Sequence, residues 1–208
     1  MCAHMPHIAT RTRLVLVTHY REDRKPTNTG RLATECLSNS EIWVRGHLQQ
    51  SNDHFVIDPQ TQPLVLFPSQ ASIPLADFID AARPITLIVP DGTWRQASKV
   101  PHRVPSLAHV PLVSLPDAGP VTQYRLRHET REGGLATMEA IARALGLLEG
   151  PDVRAALERV FRIMVERTLW SRGELPADCV TGGIPEGAQR HDPLSGTPHV
   201  TTYPEVAS

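Results

Sequence analysis

Short apolar runs separated by polar loops recur along the chain at the lengths typical of buried strands. The run at 85–89, ITLIV, does not alternate between apolar and polar residues, as expected for a strand that is covered on both faces. The run at 41–45 alternates, which is typical of a half-exposed strand. The pattern predicts five strands, at 13–18, 41–45, 64–67, 85–89 and 110–115.

Apolar residues at helical spacing predict two long helices, at 135–148 and 151–171. Pro151 suits the first turn of the second helix, and Gly173 can end it. Three shorter helices are also predicted: one capped by Thr29, one at 75–82 that ends before Pro84, and one that runs from the PDGTW motif to about Val100.

The alternation of strands and helices predicts an α/β fold with a mainly parallel sheet flanked by helices. From Glu174 onward the chain is rich in Pro, Gly, Thr and Ser and has few large apolar residues, which is typical of a mobile segment. We therefore expect one domain over 1–173 and a flexible tail over 174–208.

Composition narrows the class of protein further. The 21 basic and 22 acidic side chains exclude a globally basic nucleic-acid-binding protein, although a local basic surface remains compatible with them. The three cysteines are far apart and do not form a disulfide framework. No apolar run has the length of a membrane span, and the first twenty residues do not resemble a signal peptide. We expect a cytoplasmic protein with no membrane segment.

Three polar loops follow predicted strands and would meet at the carboxyl edge of the sheet, where α/β proteins bind ligands. They are 25–30 (KPTNTG), 90–94 (PDGTW) and 121–127 (VTQYRLR). Asp91 ends the most apolar strand, and Trp94 offers a flat stacking surface. From local spacing alone, a helix cap is the more common role for Asp91 and a core anchor the more common role for Trp94.

Basic side chains near these loops could bind a phosphate or a carboxylate. Arg95, Lys99 and Arg103 are four residues apart and would form a basic stripe if one helix continued that far, or a solvated face. Arg125 and Arg127 would point the same way if the chain were extended. Glu139 could cap the helix that follows or hold one of these arginines.

Common catalytic and metal-binding motifs are missing from the sequence. Cys2, His4 and His7 form the one close group of potential ligands, and three ligands do not complete a structural zinc site. HExxH, paired CxxC, P-loop, GxGxxG and GxSxG patterns do not occur. The sequence therefore predicts no metal site and no nucleotide fold of these common types.

Taken together, the motifs resemble those of the DTW-domain family. The signature of that family, Asp-x-Thr-Trp, reads Asp91-Gly92-Thr93-Trp94 here. The segments HYREDRKPTNTGRLA, LVLFPS, QYRLRHET and LATMEAIARAL resemble the family's other motifs and occur in the same order. The resemblance spans roughly residues 8 to 150. Ala136 replaces the usual serine, and only Cys2 and His4 remain of an N-terminal zinc-binding cluster, which leaves zinc in doubt.

The resemblance implies a fold related to the SPOUT class, with a C-terminal trefoil knot that holds S-adenosylmethionine. It also implies transfer of the 3-amino-3-carboxypropyl group of that molecule to N3 of a uridine in tRNA, with release of 5′-methylthioadenosine. Two alternatives stay open: a SPOUT-type RNA methyltransferase that uses the same donor, and a non-catalytic RNA-binding module. The sequence gives no indication of an oligomeric state.

The resemblance assigns provisional roles to side chains in the three loops and beside them. Asp91 is the expected general base, and Trp94 is expected to stack on the uracil or to wall the pocket. The residues expected to bind S-adenosylmethionine are Thr27, Asn28, Thr29, Phe67, Leu115, Tyr124, Arg125, Arg127 and Thr137. The residues expected to bind RNA are Lys25, Arg95, Lys99 and Arg103.

Overall fold

In the computed structural model, residues 2–25, 28–46, 56–116, 122–126 and 134–191 are described. The strands are β1 (Arg13–His19), β2 (Ser40–Arg45), β3 (Gln62–Leu66), β4 (Ile73–Pro74), β5 (Ile85–Asp91) and β6 (Leu112–Ser114). The α-helices are α1 (Tyr20–Asp23), α2 (Thr29–Cys36), α3 (Trp94–Ala97), α4 (Val100–Arg103), α5 (Thr137–Leu148) and α6 (Pro151–Ser171). Short 3₁₀ turns occupy Cys2–His4, Leu75–Phe78, Pro105–Leu107 and Ala177–Cys179.

The strands of the described residues form one parallel sheet in the order β2-β1-β5-β3-β6-β4. The adjacent strands β1 and β5 are paired so that Thr18 lies opposite Asp91. On the other side of β1, Val44 of β2 also lies opposite Thr18. Because all strands run in the same direction, their carboxyl ends lie along one edge of the sheet.

Two separate apolar cores cover the faces of this sheet. On one face, side chains of β1 and β5 such as Leu16 and Leu87 pack with α2, α5 and α6 in the larger core. On the other face, Val17 and Ile88 pack under the short helices and turns of residues 94–107 in the second core. The seven residues of β5 are all buried, which confirms the prediction of a strand that is covered on both faces.

Two of the short helices predicted from the sequence have different bounds in the structure. The helix predicted at 75–82 is a short 3₁₀ turn, Leu75–Phe78. The helix predicted to run to about Val100 ends at Ala97 as α3, and a second short helix, α4, begins at Val100 with Pro101 in its first turn. Arg95 and Arg103 therefore lie on different helices, and the continuous basic stripe predicted for them does not form.

The segment after α6 packs against that helix, although its composition predicted a mobile tail. Arg167 donates to the carbonyl oxygens of Gly182 and Gly183, at 3.2 and 2.8 Å. The Glu166 carboxylate accepts from the backbone N–H of Thr181 at 2.7 Å. Val180 is buried. Residues 174–191 are thus attached to the domain in this structure, and residues 192–208 lie outside the described part of the chain.

Across the described ranges, none of the helices combines the length and the apolar character needed to cross a membrane.

The two cysteines whose side chains are placed have contrasting surroundings. Cys36 is fully buried in the larger core, whereas Cys179 is exposed. Burial, and to a lesser extent the negative charge of Glu35, raises the pKa of the Cys36 thiol to about 11. The folded protein therefore keeps this thiol protonated at pH values where an unfolded chain would ionise it. Its contribution to stability is present below about pH 9 and is lost as the pH rises towards 11.

We expect iodoacetamide at pH 8 to alkylate Cys179 in the folded protein and to leave Cys36 unmodified until the chain unfolds. The Cys2→Ser variant restricts the reaction to these two thiols, and peptide mass spectrometry reads the labelled position. Alkylation of Cys36 at the rate of Cys179 under native conditions would contradict the placement of Cys36 in the core.

Candidate active site

The carboxylate of Asp91 lies at the carboxyl end of the central strand β5 and joins three parts of the fold. Asp91 is 7% exposed. Its Oδ2 accepts from Thr18 Oγ1 at 3.0 Å and from Asn28 Nδ2 at 2.8 Å. Its Oδ1 accepts from Thr137 Oγ1 at 2.6 Å. One side chain therefore connects β1, the start of α2 and the start of α5.

The start of α2 is built to present Asn28 to this carboxylate. Asn28, and not Thr29 as predicted, is the N-cap, since its Oδ1 accepts from the backbone N–H of Arg31. Its amide group donates to Asp91 and to the carbonyl oxygen of Glu22. Because both ends of the amide are bonded, the orientation of Asn28 is fixed.

Gly30 lets α2 approach the sheet closely. A Cβ at this position would lie 2.8 Å from Leu16 Cδ1 and 3.1 Å from Thr137 Cγ2. Both neighbours are held in place, Leu16 by complete burial and Thr137 by its bond to Asp91. A side chain at position 30 would thus push α2 and α5 away from the sheet.

The surroundings of Asp91 determine what chemistry it can perform. An ionised carboxylate has about four acceptor positions, and three are occupied by neutral donors. One position is left for a further donor. The amino ends of α2 and α5 meet at this carboxylate, and such helix ends favour negative charge. The arrangement suits an anionic acceptor that does not move.

Thr93, and not Asp91, caps the helix that follows the motif. Gln96 N donates to Thr93 Oγ1 at 3.3 Å, and Thr93 N donates to Gln96 Oε1 at 2.7 Å. Gly92 has a φ of +137°, and a Cβ there would lie 2.8 Å from Gln96 Oε1. Gly92 therefore forms the turn between Asp91, which ends β5, and Thr93, which caps α3. The interpretation of Asp91 as a simple helix cap is wrong.

Trp94 is a surface residue and not a core anchor. It is 44% exposed, and its ring lies 4.7 Å from that of Phe67 at a tilt of 38°. Phe67, just beyond β3, packs against the second core and supports the tryptophan ring from below. Trp94 thus exposes part of an aromatic ring at this edge of the sheet, and Phe67 packs against that ring.

A second buried carboxylate, Glu139, organises the loop before α5. It accepts from Thr122 Oγ1 at 2.6 Å, from Gln123 N at 2.7 Å and from Ala136 N at 2.9 Å. Of the two predicted roles, Glu139 therefore performs the helix cap, and it also holds residues 122–123. Tyr124 is 6% exposed and packs against Phe161, with ring centres 5.7 Å apart.

The remaining predicted ligand residues are distributed along the same edge. Phe67 N donates to Val113 O at 3.0 Å, which brings the end of β3 beside the chain leading to Leu115. Arg125 is exposed in a turn, so the chain is not extended at 125–126, which was the condition for Arg125 and Arg127 to point the same way. Thr29 lies at the start of α2, where its hydroxyl meets Met138 N at 3.5 Å. Thr27 and Arg127 lie outside the described residues.

The predicted RNA-binding side chains differ in their surroundings. Lys25 forms an ion pair with Glu22 at 2.8 Å. Arg95 and Arg103 are exposed, and Lys99 is partly exposed. Their proposed contacts with RNA stay predictions.

Thr18 is a site residue that sequence reasoning missed. It is completely buried and donates to Asp91, 73 positions along the chain. The sequence did contain one indication of this role. Thr18 is a polar residue at the end of an apolar strand, and the carboxyl ends of parallel strands are where ligands usually bind. In the described residues, no group of His, Cys, Asp and Glu side chains has an arrangement that could hold a metal ion.

The parallel sheet with helices on its faces makes this an open α/β protein, a class in which ligands usually bind beyond the carboxyl ends of the strands, where Asp91 and Trp94 lie. Within that class, the family model described as "DTW domain" matches residues 1–169. The chain belongs to the DTW-domain family, and the resemblance inferred from its motifs is confirmed.

The chain is also similar to named relatives. A "tRNA-uridine aminocarboxypropyltransferase 2" of Drosophila melanogaster is 30% identical over 168 residues, which cover 76% of this chain and 66% of the relative. A protein of the same name from Macaca fascicularis is 30% identical, with 71% and 50% covered. A "tRNA-uridine aminocarboxypropyltransferase A" of Arabidopsis thaliana is 30% identical, with 76% and 71% covered.

The chain spans about half to seven tenths of the length of these relatives. No solved structure matches it.

Proposed function

We propose that this protein transfers the 3-amino-3-carboxypropyl group of S-adenosylmethionine to N3 of a uridine in tRNA. The observation that carries the proposal is the fixed carboxylate of Asp91, which has one acceptor position left at the ligand-binding edge. The names of the relatives support the reaction type and the substrate. The C-terminal trefoil knot that the family resemblance implies is part of the same proposal. Residues 117–121 and 127–133, which precede α5, lie outside the described part of the chain.

Several of the described side chains have the chemistry needed to bind S-adenosylmethionine. Phe67 and Leu115 lie just beyond the ends of the neighbouring strands β3 and β6, Phe67 against the second core and Leu115 against the larger one, and in this proposal they border the adenine ring. Arg125 supplies a guanidinium group, which fits a carboxylate such as that of the methionine moiety. Glu139 fixes the chain just before Tyr124 and Arg125, so that the binding segment needs less ordering when the ligand arrives.

The chemistry requires a deprotonated N3, since N3–H is a weak acid and a poor nucleophile. In the proposed step Asp91 accepts that proton, and N3 attacks the carbon of the aminocarboxypropyl chain attached to sulfur. The N–C bond forms as the C–S bond breaks, and the electron pair of the broken bond stays on sulfur in the released 5′-methylthioadenosine. All three carbons on the sulfonium are electrophilic, so positioning decides which one reacts.

Thr18, Asn28 and Thr137 are positioning residues in this account. They hold both oxygens of Asp91 in one orientation, so the remaining acceptor position points in a fixed direction. Asn28 and Thr137 were expected to bind S-adenosylmethionine, and such contacts stay predictions.

We expect Trp94→Ala to lower kcat/KM for tRNA by about 5- to 150-fold, because stacking of one base on an aromatic ring contributes roughly 1–3 kcal/mol. Trp94→Phe should retain most of the activity. Neither change should alter the melting temperature much, since the ring is 44% exposed. Steady-state kinetics with tRNA as the varied substrate checks the prediction. Wild-type kinetics of Trp94→Ala would contradict a stacking role.

Nucleoside mass spectrometry separates this proposal from the two alternatives. Incubation with tRNA and S-adenosylmethionine should add an aminocarboxypropyl group to uridine. Addition of a single methyl group would instead identify an RNA methyltransferase. RNA binding without any mass change, together with no binding of S-adenosylmethionine, would identify a non-catalytic module.

A further inference from the structure

Three carboxylates are buried among the described residues, and the account given above uses two of them. Asp91 is the proposed base, and Glu139 holds the loop before α5. The third is Glu22 on α1, which is 9% exposed. Because a charged group is costly to bury unless it is paired, the position of Glu22 asks for an explanation.

Glu22 holds the chain that follows it through two different groups. Its carboxylate accepts from Lys25 Nζ at 2.8 Å, in an ion pair whose glutamate side chain is 12% exposed. Its backbone carbonyl oxygen accepts from Lys25 N at 3.0 Å and from Asn28 Nδ2 at 3.1 Å. The backbone N–H of Asn28 in turn donates to Lys25 O at 3.0 Å. Glu22, Lys25 and Asn28 thus form one hydrogen-bonded unit.

This unit lies within the segment that supplies both donors to Asp91 Oδ2. Thr18, near the end of β1, donates at 3.0 Å, and Asn28, just before α2, donates at 2.8 Å. The amide group of Asn28 donates both to Asp91 and to the carbonyl oxygen of Glu22. Segment 18–28 therefore closes on itself through Asp91, and Glu22 lies in its middle.

Apolar packing contributes little to the conformation of this segment. Its residues 19–28, HYREDRKPTN, include no Val, Leu, Ile, Met or Phe. Among the described residues of that stretch, Glu22 is the one that is buried. Polar contacts that are withdrawn from water are screened less than exposed ones. The ion pair of Glu22 is therefore well suited to fix the segment.

We propose that Glu22 is a positioning residue for the transfer reaction. Its ion pair with Lys25 holds segment 18–28 in one conformation, in which Asn28 stays bonded to Asp91. This inference rests on the proposed function, in which Asp91 accepts the proton of N3. If the segment loosened, Asn28 would leave Oδ2, and the free acceptor position of Asp91 would no longer point in one direction. Misplacement of a reacting group by about 1 Å can lower a rate by about 10²-fold.

Single-turnover reactions at saturating tRNA and S-adenosylmethionine compare Glu22→Gln with the wild type. Glutamine has nearly the same shape but no charge, so the ion pair is lost while the packing is kept. The rate should fall by about 10- to 100-fold. The KM for tRNA should change by about twofold or less, since the loss lies in the reacting complex. Glu35→Gln, which breaks an exposed ion pair with Arg31 on α2, is the matched control and should react like the wild type.

A double-mutant comparison shows whether Glu22 acts through Asn28. Asn28→Ser keeps a side-chain oxygen that can cap α2 but removes the amide donor to Asp91. In the Asn28→Ser background, Glu22→Gln should lower the rate by about twofold or less, because the contact that it protects is already gone. A general loss of structure would instead lower the rate equally in both backgrounds.

Variants of Lys25 separate positioning from direct contact with RNA. Lys25→Arg keeps the ion pair and should keep the rate, whereas Lys25→Met should lower it about as much as Glu22→Gln. A contact between Lys25 and a phosphate predicts a different result: Lys25→Met would raise the KM for tRNA and lower the log–log salt slope by about 0.7. That result, with an unchanged rate in Glu22→Gln, would overturn the inference.

Hydrogen exchange of the backbone amides of Lys25 and Asn28, followed by NMR, tests the segment without any reaction. Both amides are hydrogen-bonded, so exchange should be about tenfold faster or more in Glu22→Gln and unchanged in Glu35→Gln. If the wild type modifies no tRNA while exchange rises in Glu22→Gln, the proposed function fails and the hold of Glu22 on the segment stands. If the wild type modifies tRNA and folded Glu22→Gln reacts and exchanges like it, the inference is wrong and the function stands.

Discussion

Replacing Asp91 with asparagine is expected to lower the rate of group transfer by about 10²–10⁴-fold, the usual contribution of a positioned general base. Asparagine has nearly the same shape, so the change removes the proton acceptor with little loss of packing. Binding of S-adenosylmethionine should be largely intact, because the carboxylate is assigned to the uridine. Single-turnover assays with saturating tRNA, together with isothermal titration with S-adenosylmethionine, measure the two effects separately.

The structure adds a second consequence to this substitution. Both oxygens of Asp91 accept hydrogen bonds, and the asparagine amide would place a donor against Asn28 Nδ2 or Thr137 Oγ1. A moderate loss of stability should therefore accompany the loss of activity, and the melting temperature must be measured. Asp178→Asn, at an exposed position in the segment after α6, is the matched control and should behave like the wild type. If the folded Asp91→Asn variant reacted as fast as the wild type, Asp91 would not be the general base.

The largest effect on stability is expected for Glu139→Ala. This change leaves the Thr122 hydroxyl and two backbone N–H groups, those of Gln123 and Ala136, without their acceptor. Unsatisfied donors and a lost helix cap should together cost about 2–4 kcal/mol. For a domain of this size that corresponds to a fall in melting temperature of about 4–16 °C. Chemical and thermal denaturation measure both quantities.

Two further variants make the Glu139 test specific. Glu139→Gln keeps one of the two acceptor oxygens and should lose less stability than Glu139→Ala. Glu158→Ala breaks an exposed ion pair with Arg154 on α6, which should cost about 0.5 kcal/mol or less. If Glu139→Ala were as mild as Glu158→Ala, the carboxylate would not organise the loop. We also expect Glu139→Ala to weaken S-adenosylmethionine binding, because Tyr124 and Arg125 follow the residues that Glu139 holds.

The parts of the fold that local pattern dictates were predictable from the sequence. The unbroken apolar residues of β1 and β5 identified two interior strands of the sheet, since a strand covered on both faces has no need of polar alternation. The apolar stripes of α5 and α6 gave these helices nearly to the residue. Asp91 was found through its place at the end of a predicted strand and through the ordered motifs around it, and not through any local feature of its own.

The parts that depend on distant contacts were not predictable. Asn28 caps α2 because its other end bonds to Asp91, 63 positions away, so local spacing could not choose between Asn28 and Thr29. Thr18 reads as an ordinary strand residue until β1 and β5 are paired. The segment 174–191 contains few apolar residues, but hydrogen bonds from Arg167 and Glu166 attach it to α6. Polar contacts of this kind have no periodicity that a sequence pattern could reveal.

The most direct test of the central claim is nucleoside mass spectrometry of tRNA after incubation with this protein and S-adenosylmethionine, with Asp91→Asn as the parallel reaction. We expect a uridine that carries one aminocarboxypropyl group at N3 and an equal amount of released 5′-methylthioadenosine, both strongly reduced in the variant. A product that carries only a methyl group, or unmodified tRNA after reaction with folded protein that binds both substrates, would contradict it.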